Sequence, residues 1–254
     1  MVVIYSIEGN IGSGKSTLVS YLKDNLTSIE VNINSQGGEP ITILGQNGVQ
    51  HNNTSIQKSI PIIYLQEPVD VWNKVADKDG EPILTKFYKD QEKYAFSFQM
   101  MAYISRIALL RKTAKENPHS IIICERSVFT DSNVFAKMLY DDKKIEEVDY
   151  LIYRKWFDEF TRETPIDCSF YIKVTPENCQ ERVTRRAREG EDIPLEYLKK
   201  CGEYHDTWLE HEDTKSFVID GNVDNRENPD IMQHWMHKVK NEITLLAKAS
   251  CDSL

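Results

Sequence analysis

The chain has 254 residues, of which 40% are hydrophobic and 28% charged. That length fits one large or two small domains, and the composition is that of a globular protein with a sizeable core. Lysine and arginine number 31 against 40 aspartates and glutamates, a net charge of −9. Such a balance repels phosphate backbones and anionic headgroups, and so argues against nucleic-acid or membrane partners. A neutral substrate, or an anion held in a local basic pocket, stays compatible with it. Cys124, Cys168, Cys179, Cys201 and Cys251 are odd in number and widely spaced, with no CxxC pair. A disulfide framework and a thiolate zinc site are thereby excluded, and a reducing compartment is expected. Neither a leader pattern nor an apolar run of membrane-spanning length is present, which gives a cytoplasmic expectation.

Taken in chain order, short β-rich runs alternate with longer helical patterns. The runs are Val2–Ile7, Ile60–Leu65, Ser120–Cys124, Ser169–Val174 and Ser216–Ile219. Each is nearly continuously apolar, as strands buried on both faces are. Helical periodicity covers Leu18–Leu26, Lys93–Lys112, Tyr150–Glu163, Glu177–Glu189, Pro194–Glu212 and Asn228–Lys248, with Thr175-Pro176 as an N-cap and first-turn proline. The alternation predicts an α/β fold, a five-stranded parallel sheet flanked by helices. One stretch interrupts it. Residues 32–59 are rich in Asn, Gln, Gly and Ser, and read as a disordered insertion or as a small hairpin in which Pro40–Leu44 pairs across Asn47-Gly48.

The first strand runs into Gly9-Asn10-Ile11-Gly12-Ser13-Gly14-Lys15-Ser16-Thr17 and then a helix. This is GxxxxGK[ST] in the strand–loop–helix context that a phosphate-binding loop requires. Glycines let the backbone wrap an anion, the helix adds its positive end, Lys15 reaches the β- and γ-phosphates, and Ser16 holds Mg²⁺. The second strand leads to Glu67-Pro68-Val69, with Trp72 a turn further on, and the third to Glu125-Arg126-Ser127. Parallel sheets bind ligands beyond the carboxyl ends of their strands. Two carboxylates and a guanidinium beside a phosphate loop suit transfer of a phosphoryl group to a hydroxyl.

These three motifs together resemble the deoxynucleoside kinases, over most of the chain from Val2 to about Asn222, apart from the insertion. Family members place Glu-Pro-Val much sooner after the phosphate loop. The resemblance implies a P-loop kinase fold with an arginine-rich lid, one domain over 1–254 carrying the insertion at 32–59, and a homodimer formed through helices such as Lys93–Lys112 and Tyr150–Glu163. It implies ATP-dependent transfer of the γ-phosphate to a deoxynucleoside 5′-hydroxyl for nucleotide salvage, with Mg²⁺. Glu67 matches the general base, Arg126 its partner at the 5′-oxygen, and Glu125 the Mg²⁺-site carboxylate. In the nucleoside pocket Tyr88 would bond the 3′-hydroxyl and Gln99 would read the base edge. Phe98 and Phe135 would flank the base, with Trp72, Leu84, Phe87 and Ala102 around them. Gln99 and Arg106 are seven residues apart and share a helix face.

Arg106 and Asp131 match an Arg–Asp pair of the deoxycytidine- and purine-accepting members, so these nucleosides are expected over thymidine. Arg182, Arg186 and Arg188 recur in one basic segment. In the family lid, Arg186 and Arg188 would clamp the phosphates, and Glu191, with Glu189 as rival, would reach the sugar. Asp220-Gly221-Asn222 resembles the loop at the ATP base, and is also an ordinary turn. The six histidines, including His205, His211, His234 and His237, lack a metal-ligand pattern. Two other classes stay open: a thymidylate-type kinase, which would carry an Asp-Arg-Tyr-like triplet instead of Glu125-Arg126-Ser127, and a non-catalytic structural relative.

Overall fold

The computed structural model of the chain describes residues 2–34, 55–188, 193–211 and 214–252. Its strands are β1 (Val3–Glu8), β2 (Ser28–Asn34), β3 (Ser55–Leu65), β4 (Ile121–Glu125), β5 (Cys168–Lys173) and β6 (Ser216–Asp220). They form one sheet in the order β2-β3-β4-β1-β5-β6. The five expected parallel strands are all present. Tyr5, Ile7, Ile121, Ile122, Ile123, Phe170 and Ile172 are all but inaccessible, because helices cover both faces of the sheet and leave no room for polar alternation.

The sheet differs from expectation at one edge. β2 pairs antiparallel with β3, from Ser28↔Pro61 to Asn34↔Ser55. Both ends of the expected insertion therefore belong to the sheet, and β3 begins five residues before Ile60. In β2, Ile29 and Val31 are buried while Glu30 is exposed. That is the alternation of an edge strand with one wet face, which the polar composition of the neighbouring segment masks. Pro40–Leu44 and the Asn47-Gly48 signal lie outside the described residues.

The helices are α1 (Lys15–Asn25), α2 (Val69–Lys74), α3 (Ile83–Lys89), α4 (Gln91–Glu116), α5 (Val128–Thr130), α6 (Lys137–Asp141), α7 (Glu147–Thr161), α8 (Pro176–Arg186), α9 (Leu195–Leu209) and α10 (Ile231–Asp252). α1 buries Leu18, Val19 and Leu22 against the sheet, each worth about 1.5–3 kcal/mol of transfer free energy. Thr175 caps α8 by accepting from the Asn178 backbone N–H, with Pro176 in the first turn. α10 packs on β2 and α1. Between α5 and α6 the chain makes a π-helical turn, Asp131–Ala136, a widened form that recurs at functional sites. No described helix is long and apolar enough to cross a membrane.

Register sets the position of the site. β1 lies between β4 and β5, Ile7 pairs with Glu125, and Leu65 pairs with Cys124. The loop after β1, the Glu67 turn after β3 and the Glu125-Arg126-Ser127 turn after β4 therefore open side by side on one rim, beyond the strands' carboxyl ends.

Candidate active site

The loop after β1 is shaped by packing before any ligand arrives. At Gly9 (φ 143°) a Cβ would stand 2.6 Å from the Ile172 carbonyl oxygen, and at Gly12 (φ 81°) 2.5 Å from that of Cys179. No side chain fits at either point. Gly14, also left-handed, precedes α1, whose first hydrogen bond runs from Leu18 N to the Gly14 carbonyl. The N–H groups of the first helical turn are thus presented at the loop, as an anion site requires. Lys15 is buried inside the loop, and its Nζ donates to the Asn10 carbonyl oxygen at 2.7 Å. Burial, and then the Arg126 charge, push the ammonium down to about 7, against the attraction of Glu67 and Glu125. Ser16 is exposed at the mouth and donates its hydroxyl proton to Glu125 Oε1.

Around that loop lies a network of charges. Glu67 Oε1 meets Arg106 Nη2 at 3.1 Å and Arg126 Nε at 3.2 Å. Burial alone would raise the Glu67 carboxyl; Arg126, Arg106 and Lys15 together hold it below its ordinary value. Arg106 continues to Asp131 Oδ2 at 2.9 Å and to the Glu125 carbonyl oxygen at 3.0 Å. Against the desolvation that would discharge it, Asp131 and Glu67 keep this guanidinium charged. Asp131 is almost fully buried, and its carboxyl is pushed up to about 6 in spite of Arg106.

Arg126 has a left-handed backbone (φ 59°) and its N–H bonds the Ile7 carbonyl, a conformation that costs a non-glycine residue about 1–3 kcal/mol. Its Nη1 donates to the Gly9 carbonyl at 2.8 Å, and its guanidinium lies 5.0 Å over the Phe135 ring. Glu8, fully buried, steadies the same turn by accepting from the Ser127 N–H at 2.9 Å and from the Thr130 hydroxyl.

Next to these charges stands an aromatic wall. Phe87 stacks on Phe98 at 4.7 Å, and Trp72 meets Phe98 edge-on at 5.5 Å. Trp72 is anchored through Nε1 to Ser105 Oγ at 2.8 Å. Gln99 is buried and its Oε1 has no hydrogen-bond partner. A buried amide oxygen is unfavourable unless something bonds it, and this one belongs to the same cavity as Leu84, Tyr88, Ala102 and Phe135. That cavity has a volume of about 1380 Å³ and runs unbroken from the aromatic wall past Glu67 to the phosphate loop.

Arg182, Arg185, Arg186 and Arg188 line the far end of the cavity. α8 ends at Arg186, and Ala187 turns left-handed, so Arg188 leaves the helix. Arg182 is engaged by the Gly221 carbonyl oxygen at 2.8 Å, and Arg185, which the motif reading passed over, by Asp224 at 2.6 Å. Glu189 and Glu191 lie outside the described residues. After β6, the cavity is lined by Val223, Asp224, Asn225 and Arg226 instead of Asp220 and Asn222. Asn222 acts locally, its Oδ1 accepting from the Thr175 N–H at 2.9 Å, at the start of α8. Sequence reasoning gave Glu8 no role and set His205 aside among the histidines that lack a metal-ligand pattern. His205 is fully buried, with Nε2 3.3 Å from Arg126 Nη1.

The family model described as Deoxynucleoside kinase matches residues 51–244. The chain belongs to the deoxynucleoside kinase family. It is accordingly a phosphotransferase that takes ATP as donor and deoxynucleosides as acceptors. Deoxycytidine kinase 1 of Xenopus laevis is 30% identical over 262 residues, covering 95% of this chain and 90% of that protein. The deoxycytidine kinase of Homo sapiens is 32% identical over 220 residues, 83% of this chain and 76% of its own length. The mitochondrial deoxyguanosine kinase of Xenopus laevis is 29% identical over 219 residues, covering 83% and 74%. The cavity runs from an aromatic compartment, past a carboxylate held by two guanidiniums, to the glycine-rich loop after β1.

Proposed function

We propose that the protein phosphorylates the 5′-hydroxyl of deoxycytidine or of purine deoxynucleosides in preference to thymidine, for nucleotide salvage. The observation that carries this reading is the buried Arg106–Asp131 pair, tied through the same guanidinium to Glu67. A base edge bearing an amino group and ring nitrogens satisfies such a pair. A 5-methyl group pressed against it would leave both charges desolvated without a partner. Gln99, with its unpartnered oxygen, reads the opposite part of the base edge, and Phe98 and Phe135 hold the base between them.

Glu67 acts as the general base. Its Oε1 is engaged by Arg106 and Arg126, so Oε2 takes the proton of the 5′-hydroxyl while Arg126 steadies the attacking oxygen. The lowered carboxyl keeps Glu67 ionised at neutral pH. Lys15 and the N–H groups of the loop hold the β- and γ-phosphates, and Arg186 and Arg188 close over them. The Ser16 hydroxyl and the Glu125 carboxylate, already in contact, supply the hard oxygen donors that Mg²⁺ takes beside a triphosphate. Held there, Mg²⁺ would offset negative charge on the triphosphate.

A homodimer fits the surface. Val148, Leu151, Ile152 and Trp156 form an exposed apolar stripe on α7, and the neighbouring helix α4 exposes Ile104. Cys124, Cys168, Cys179 and Cys201 are buried free thiols, in keeping with a reducing, cytoplasmic setting.

The deciding experiment is an ADP-release assay with deoxycytidine, deoxyadenosine, deoxyguanosine, thymidine and the corresponding monophosphates. Turnover of one or more of the first three above thymidine is expected. Turnover of monophosphates alone would overturn the reading.

A further inference from the structure

The helix that follows the arginine-rich segment grips both loops of the reaction centre. Near its start, the Leu198 carbonyl oxygen accepts from Asn10 Nδ2 at 2.7 Å, inside the phosphate loop. Two turns on, His205 Nε2 lies 3.3 Å from Arg126 Nη1. Positions 198 and 205 are seven apart, so both contacts leave one face of α9. Arg126 Nη1 carries two hydrogens; one points to Gly9 and the other to His205.

The chemistry of the imidazole is fixed by its neighbours. Nδ1 is 2.6 Å from the Cys201 carbonyl oxygen, which only accepts, so Nδ1 carries the proton. The guanidinium only donates, so Nε2 is the acceptor and the ring is neutral. Burial, and then the Arg126 charge, hold the imidazole well below its ordinary range. The ring cannot swing away, because Tyr171 stacks parallel to it at 6.1 Å and Phe135 meets it edge-on at 6.4 Å. Tyr171 is itself fixed by a 2.6 Å bond to Asp206.

The geometry points to His205 as a positioning residue that holds Arg126 in place against Glu67. This inference rests on the reading of Glu67 and Arg126 as the reaction centre. Among the described residues, the other polar contacts of the Arg126 side chain are to the Gly9 carbonyl and Glu67. Taking away the third anchor frees the guanidinium to rotate, and small misplacements at a reacting centre are costly to turnover. The deoxynucleoside pocket, formed by α3, α4 and the π-helical turn, loses only the edge contact of the imidazole on Phe135, which both variants below remove alike.

Two substitutions separate positioning from packing. In His205→Gln the amide oxygen reaches the Nε2 position and accepts from Arg126. In His205→Asn the shorter amide serves the Cys201 carbonyl but falls short of the guanidinium. The Asn variant is expected to lose kcat by about 10- to 100-fold with the nucleoside KM within about threefold, and the Gln variant to recover most of that loss. Equal kcat in the two variants at matched Tm overturns the inference, as does a loss that appears in KM instead of kcat. Nitrogen-15 NMR of the wild-type histidines supplies a reading independent of turnover. A neutral Nδ1–H ring at His205, with an Nε2 shift that moves in Arg126→Lys, is expected; an Nε2–H or charged ring overturns the contact. Were the wild type inactive on every deoxynucleoside, the functional reading would fall, while that spectrum would still judge the His205–Arg126 contact.

Discussion

At the scale of single residues, the centre is one carboxylate oxygen shared by two guanidiniums. Glu67→Gln keeps the shape and removes the proton acceptor. Nucleoside binding by calorimetry should survive, while kcat falls by about 10² or more; unchanged turnover would show that the proton leaves by another route. Asp131 makes a separate, pH-dependent contribution. Its carboxyl is raised to about 6 by burial, partly offset by Arg106, so it is charged at pH 7 and takes up a proton as the pH falls through 6. Protonation weakens the ion pair that faces the base. kcat/KM for deoxycytidine should therefore show an acid limb near pH 6, which Asp131→Asn flattens. Glu67 does not generate that limb, because its carboxyl is shifted the other way.

At the scale of elements, contiguous motifs were readable and tertiary encounters were not. Gly9 to Thr17, Glu67-Pro68-Val69 and Glu125-Arg126-Ser127 each carry their signal in adjacent residues, and strand register brings them together. His205 approaches Arg126 across 79 positions of chain through the packing of α9, and nothing local marks it. The π-helical turn that carries Asp131 and Phe135 is likewise set by context instead of periodicity. In β2 the alternation of Ile29, Glu30 and Val31 is only three residues long, too short to stand out beside the polar segment that follows it. The stripe on α7 is a further element-scale property. Leu151, at 60% exposure, belongs to an apolar face of the kind that marks an interface when contiguous. Leu151→Glu places a charge there, and light scattering should then report monomer where the wild type reports dimer; a wild-type monomer would remove the dimer from the proposal.

At the scale of the whole molecule, a net charge of −9 coexists with Lys15, Arg126, Arg182, Arg186 and Arg188 around one cavity. On the proposed reading, these local cations receive a single triphosphate within a chain that is acidic as a whole. Salt should act unequally on the two substrates. Raising ionic strength from about 0.05 to about 0.5 M screens the attraction and should raise KM for ATP several-fold, with KM for the uncharged nucleoside nearly constant. Equal responses would mean that the cavity's charge is not what draws the donor in.

The antiparallel ladder of β2 and β3 bears on how the chain finds its shape. Asn34 and Ser55 are close in sequence, whereas Tyr5 must find Cys168 and Val3 must find Ile121 across long stretches of chain. Closing a short loop loses less chain entropy than closing a long one, and local pairings form early. The added edge strand should thus give β3 a partner before β4 arrives to complete the parallel sheet. In pulsed hydrogen exchange during refolding, amides of the β2–β3 ladder should gain protection ahead of those joining β1 to β5. The reverse order would make the ladder a late addition to a sheet that assembles without it.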